Sequence, residues 1–326
     1  MGRYLVRRVL FLILVLWIVS AVTFLIFYKL PAGDPARRVA GSGAHNVTPQ
    51  QLNHIRKVLG LDKPWYVQYG KFAKGLIPWP GLFLNKDVYY SYVGFIPVKD
   101  EIFRRLPVTA VLAVGAAVLW MLCGIPIGII SAVKRRSIAD RAGMLFALFG
   151  VSAPVFWLGY VFLYIFWFKL HWAPSSGLDY DASLMESVLK GKFILPWIAL
   201  MLTFAAFYAR MVRGNLIETM SEDYIRTARA KGLSERRVIF KHGLRSALTP
   251  VVTMFGMDLG ILLGGAFITE TVFNLPGVGQ YTVKAIFAND FPAVMGVTIF
   301  ASLFIVAANL LVDIVYAFLD PRVRYT

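Results

Sequence analysis

Long stretches without a charged side chain alternate with short polar ones along this chain. Charge-free runs cover positions 9–28, 107–133, 142–168, 193–209 and 291–312, and a sixth, 246–269, is interrupted only by Asp258. A helix rises about 1.5 Å per residue and the hydrocarbon layer of a membrane is about 30 Å thick, so about 20 apolar residues make one crossing. The pattern predicts an all-α polytopic membrane protein with six transmembrane helices, because a helix satisfies its own backbone where no water can. Three parts follow: an N-terminal anchor helix over 1–29, a long region over 30–106 on one side of the membrane, and a five-helix core over 107–326 that carries a polar loop at 210–245.

Charge sets the orientation. Lys and Arg number 3 before the first span, 4 in the loop 134–141, 9 in the loop 210–245 and 2 in the tail 313–326, against 3 in segment 169–192 and 1 in segment 270–290. Basic short loops stay inside, so both termini are expected on the cytoplasmic side of the plasma (inner) membrane, with 30–106 outside. The net charge of +16 thus mostly reports topology, not nucleic-acid binding. The apolar core of the first span exceeds the roughly 7–15 residues of a cleaved signal, which marks it as an anchor. Cys123 is the single cysteine and reads as a small apolar core residue, so no intrachain disulfide forms. In the outer region, Thr48, Pro49 and Gln51 have the spacing of a helix start, and Gly60 and Pro64 suit its end. Ten aromatics between 64 and 96 predict a small folded cap against the membrane rather than a linker.

The 36 residues from Arg210 to Arg245 are polar between apolar neighbours. Ser221 has the chemistry of an N-cap, and Glu222 and Asp223 suit the positive end of a helix. Gly232 suits the left-handed position that stops that helix, and Ser234 with Glu235 can start the next. The expectation is helix, tight turn, helix. Spans at both ends tether the segment, which argues against insertion into a DNA groove.

The run TARAKGL at 227–233, followed by SERRV and by HGLRSALTP ending at Pro250, resembles the EAA loop of ABC-importer permeases. More narrowly it is similar to the dipeptide, oligopeptide and nickel permease family, to the first of its two homologous permeases. The opening MGRYLVRRVLFLILVLWIVSAVTFLIFYKLPAGDP, RLPVT at 105–109, TETVFNLPGVGQ at 269–280 and LDPRVR at 319–324 fit the same family. Aligned on Gly232, Arg226 stands where the general motif has Glu and Arg245 where it has Pro, and the peptide branch is similar to this chain at both. The resemblance implies a type I importer permease whose coupling helix, with Arg226, Thr227, Ala228, Arg229, Ala230, Lys231, Gly232, Leu233 and Ser234, docks on an ATP-binding subunit. Ala228 is expected to let the helix sit close in its groove, Gly232 to supply the joint and Leu233 to anchor the turn. Implied partners are a second homologous permease, two ATP-binding subunits, an extracytoplasmic peptide-binding protein and the surrounding lipid; the 64–96 cap either lies against the outer membrane face or serves as a docking surface for the binding protein. ATP hydrolysis belongs to the partners, since no GxxxxGK[ST] loop is present.

Asp258, with Met254 and Met257 beside it, is costly in a membrane and must face protein or a water-filled cavity. It is placed either to attract the ammonium of a peptide in the translocation path or to pair with a neighbouring helix. Gly256, Gly260 and Gly264 recur every fourth residue and form a smooth ridge for another helix. Asn274, Pro276 and Gly277 demand a tight re-entrant turn, which the resemblance puts at the cavity. The histidines form no HExxH pair, and neither GxSxG nor another catalytic constellation appears, so neither a catalytic site nor a cofactor or resident metal is expected. The reading is a permease for di- or oligopeptides. Nickel and glutathione remain alternatives within the family, and a self-contained channel or ion-driven carrier is the alternative outside it. Peptide is preferred to nickel because no span carries a histidine.

Overall fold

The computed structural model describes residues 2–29, 48–50, 53, 56, 57, 62–77, 83–86, 88–91, 93–179 and 182–319. Helix α1 (Gly2–Phe24) widens into a π-type turn over Leu25–Lys29, α2 spans Trp65–Lys74 and α3 Val98–Val133. Then come α4 (Ile138–Ser152), α5 (Val155–Phe162), α6 (Leu184–Leu189) and α7 (Ile194–Thr219). The polar loop folds as α8 (Asp223–Ala230), α9 (Glu235–Arg237), a π-type stretch over Val238–Gly243 and α10 (Leu244–Ala247). Last are α11 (Thr249–Leu263), α12 (Phe267–Val272), α13 (Val278–Phe287) and α14 (Phe291–Leu319).

Among the described residues, four unbroken helices are long and apolar enough to cross a membrane, and two bent pairs bring the total up to six. The third span is not one rod over 142–168: it bends by 99° between α4 and the helix that follows it. The break falls at Pro154, which lacks an N–H and disfavours the helical region at Ala153, extended at φ −83°, ψ 119°. The fifth span is shorter than 246–269. It ends at Leu263, because Gly265 takes φ +133° and starts a new direction. Toward its start, α11 meets the 235–247 segment at a 47° bend next to Pro250.

Helix α7 is the central post. A Cβ on Gly128 of α3 would lie 2.7 Å from the Ala209 carbonyl oxygen, and one on Gly150 of α4 would lie 2.5 Å from that of Leu202. Both partners therefore approach α7 at backbone distance, with Ala205, Ala206 and Ala209 fully buried beneath them. The glycine ridge of α11 does the same against α14: Gly256 faces Val312, Gly260 faces Ala308 and Gly264 faces Ala301. Cys123 lies in the bundle, 3.5 Å from the Met201 sulfur.

The described residues of the cap pack into a core. Phe72, Leu84 and Tyr89 are buried with Phe24 of α1, Val98 and Ile102 of α3, Val278 and Ala285 of α13 and the first turns of α14. Ser20 and Tyr69 share a 2.9 Å hydrogen bond that ties α1 to α2. Pro49 and Gln50 are helical, as are Asn53, Arg56 and Lys57; Gln51 and Gly60 lie outside the described residues.

Candidate functional site

The polar loop carries its own small core. Ile225 and Ala228 of α8 are buried against Val238, with Met220 and Leu233 packed around them. Their i, i+3 spacing puts both on one face. On the rest of the surface Tyr224, Arg226, Thr227, Arg229, Ala230 and Lys231 are exposed. Ala228 is 7% exposed, and its small side chain lets α8 close onto this chain's own cluster. Tyr224 and Phe240, 46% and 55% exposed, are the large side chains offered outward, and the sequence reading passed over both.

The joint is a Schellman stop. Gly232 has φ +74°, its N–H donates to the Arg229 carbonyl at 2.9 Å, and the Leu233 N–H donates to that of Ala228 at 3.4 Å. Half-buried Leu233 packs back onto Ala228, as the motif's hydrophobic contact requires. Across the joint Arg229 Nε donates to Glu235 Oε1 at 2.7 Å. The start of α8 differs from expectation: Glu222 occupies the N-cap position without a side-chain bond. Ser221 donates instead to the Glu218 carbonyl at 2.6 Å, closing the end of α7. Ser234 sits at the N-cap of α9, exposed and with no capping bond from its side chain.

Helix α7 is bonded both to this unit and to the start of α4. Asn215 of α7 donates to the Ala247 carbonyl at 3.3 Å. Arg213, also of α7, grips Asp140 with Nε and Nη2 at 2.7 and 2.9 Å, while the Arg136 N–H donates to the same carboxylate at 2.8 Å. The loop 134–141 is thereby pinned beside the polar unit. A cleft of about 310 Å³ lies between them, lined by Val133, Arg135, Ile217, Met220, Arg229 and Ile239, among others.

Asp258 faces α7, where the buried Tyr208 hydroxyl donates to its Oδ2 at 2.7 Å. Pairing with a neighbouring helix is thus realised. Tyr208 belongs to an aromatic group in which Trp120 stacks on Phe204 with centroids 4.6 Å apart. Met254 packs into the bundle core, whereas Met257 and Ile261 are 39% and 53% exposed on α11.

The stretch from Glu270 to Asp290 is a helical hairpin. Asn274, at φ +48° and exposed, turns the chain between α12 and α13, with Pro276 half-buried and Gly277 buried behind it. Asn274 Oδ1 accepts from Gln280 Nε2 at 2.8 Å, and Gln280 Oε1 accepts from Lys284 at 3.0 Å. Beneath the turn Glu270 is completely buried. It accepts from the Thr109 hydroxyl at 2.9 Å, the Gln280 N–H at 2.8 Å and the Ala266 N–H at 3.2 Å. Thr109 also accepts from the Val278 N–H at 2.9 Å. Sequence reading quoted the two motifs that hold Thr109 and Glu270 but did not join them.

Residues 124–325 match the family described as binding-protein-dependent transport system inner membrane component, and residues 1–113 match the N-terminal region described for such components. The chain is 39% identical over 325 residues, covering 100% of both proteins, to the glutathione transport system permease protein GsiC of Escherichia coli. It is 37% identical, again over 100% of both, to the dipeptide transport system permease protein DppB of Alkalihalophilus pseudofirmus. Among solved structures, an inward-facing MetNI methionine ABC transporter shares its fold with a TM-score of 0.54 and 19% identity, covering 69% of this chain and 98% of that one.

Proposed function

The chain belongs to the binding-protein-dependent transport system inner membrane components, the permeases of ABC importers, and on that premise we propose that it forms half of a path for short peptides. In this reading α8 is the helix through which ATP-binding subunits drive the path, a second homologous permease supplies the other half, and an extracytoplasmic binding protein delivers cargo. The observation that carries the coupling role is the self-contained unit of α8 and its joint: a stopped helix on its own core, with Tyr224 and a basic surface turned outward.

Contacts within the chain support a route for this motion. A push on α8 passes through the Gly232 joint and the Arg229–Glu235 pair into the 235–247 segment, which continues across the 47° bend into α11. Helix α11 carries Asp258, Met254 and Met257, so displacement of the loop reorients the candidate path residues. Asn274, Pro276 and Gly277 would line the far end, where the path closes. Orientation follows the basic loops, with both termini and α8 cytoplasmic and the cap outside.

The cargo class rests on the relatives. One is named for glutathione and one for dipeptides, and glutathione is itself a tripeptide, so short peptides are the common chemistry. Asp258 would attract a peptide's ammonium group while Tyr208 holds the carboxylate in place. Co-purification tests the assembly. Affinity capture of this chain from membranes should bring down ATP-binding subunits, and a photo-crosslinker at Tyr224 should join one of them. A correctly inserted chain that captures none would overturn the reading in favour of a self-contained channel or carrier.

A further inference from the structure

The buried core of the molecule divides in two around the hairpin. Phe273 and Leu275, at the end of α12, belong to the bundle cluster with α3, α7 and α11, whereas Val278 and Ala285 of α13 belong to the cap cluster with Val98, Ile102 and the start of α14. The seam between the clusters is polar. Glu270 of α12 receives the N–H of Gln280, Thr109 of α3 receives the N–H of Val278, and the Thr109 hydroxyl donates to Glu270. One carboxylate and one hydroxyl therefore cap the start of α13 and tie both hairpin helices to α3. Space is reserved for them: a Cβ at Gly277 would lie 2.4 Å from Glu270 Oε2, and one at Gly279 would lie 2.7 Å from the Phe267 nitrogen.

We infer that Glu270 and Thr109 are positioning residues for transport, which keep the α12–α13 hairpin fixed to α3 as an immobile wall while α11 flexes against it at Gly264 and Gly265. Such a network holds with all of its bonds or fails as a unit, because each fully buried polar group left alone is costly. Switching needs elements to move past each other. With the hairpin clamped, the break in direction after Leu263, where Gly265 sits at φ +133°, is where α11 can bend. The inference requires only that the chain is an importer permease, and stands or falls separately from the role of α8.

Spin-label distances in the reconstituted transporter, in a Cys123→Ser background, test it. One pair joins Ile286 of the hairpin to Val114 of α3, and the other joins Ile261 of α11 to Val114; all three side chains are exposed. On adding a non-hydrolysable ATP analogue, the first distance should stay within about 2 Å while the second changes by about 5 Å, the scale of a one-turn shift. A first distance that changes as much as the second overturns the inference, as does a second distance that does not change. Thr109→Val should lower uptake per inserted transporter by roughly tenfold, the upper worth of an ordinary hydrogen bond, and Thr109→Ser should restore it. Wild-type uptake by Thr109→Val would also overturn the inference. Should that variant fail to insert, the distances in the unmodified network decide alone.

Discussion

Adding one methyl group at Gly260 tests how closely α11 and α14 are meshed. A Cβ there would lie 2.5 Å from the Ala308 Cβ, with the Phe304 carbonyl oxygen at 3.5 Å. Carbon atoms rest at about 3.5–4.0 Å, so the helices must part by about 1 Å, and a gap of that size forfeits up to about half of each neighbouring dispersion contact. Overpacking of this kind costs about 1–3 kcal/mol. Helix propensity acts the other way, since Ala is favoured over Gly by about 1 kcal/mol in a helix interior. Gly214 of α7 supplies the control, because nothing lies within 4 Å of a Cβ at that position. The propensity gain is common to Gly260→Ala and Gly214→Ala, so their difference isolates the packing cost. Denaturant titration of the purified chain in mixed micelles should show Gly214→Ala stabilising by about 1 kcal/mol. Gly260→Ala should be about 1–3 kcal/mol worse than that control, and Gly260→Leu worse again. Equal effects of the two alanine substitutions would refute close packing at the ridge.

Two further outcomes follow from the site geometry. Asp258→Asn keeps an oxygen to accept from Tyr208 and removes the charge, so thermal stability should hold while uptake of peptides with a free amino terminus falls; unchanged uptake of every peptide tried would remove Asp258 from recognition. Arg213→Lys cannot reproduce the two-pronged grip on Asp140, and hydrogen exchange should quicken across residues 134–141, whereas exchange at the wild-type rate would show that the pair does not hold the loop.

The sequence was most legible where one residue type has one physical use. Apolar run lengths marked the spans, Gly232 marked the left-handed joint, and the four-residue glycine repeat marked the α11–α14 contact. Gly124 and Gly128 obey the same rule against Ala205 and Ala209 and were equally readable. Where a residue has two uses, sequence alone did not decide. Pro154 within an apolar run is compatible with a kinked rod or with the observed 99° break, and only its packed surroundings select between them. Ser221 suits an N-cap or a bond back to Glu218, and the tight end of α7 selects the second. The Glu270 network depends on residues 161 positions apart, a separation over which local pattern carries no information.

The central claim, that α8 transmits ATP-driven motion through its joint, is tested most directly by peptide uptake in cells carrying Gly232→Pro beside Gly232→Asn. Proline cannot adopt φ +74° and lacks the N–H that bonds Arg229, whereas asparagine tolerates the left-handed region and keeps that N–H. With both variants inserted at wild-type levels, uptake should be lost in the first and largely kept in the second. Normal uptake by Gly232→Pro would contradict the account and move the coupling route away from this joint.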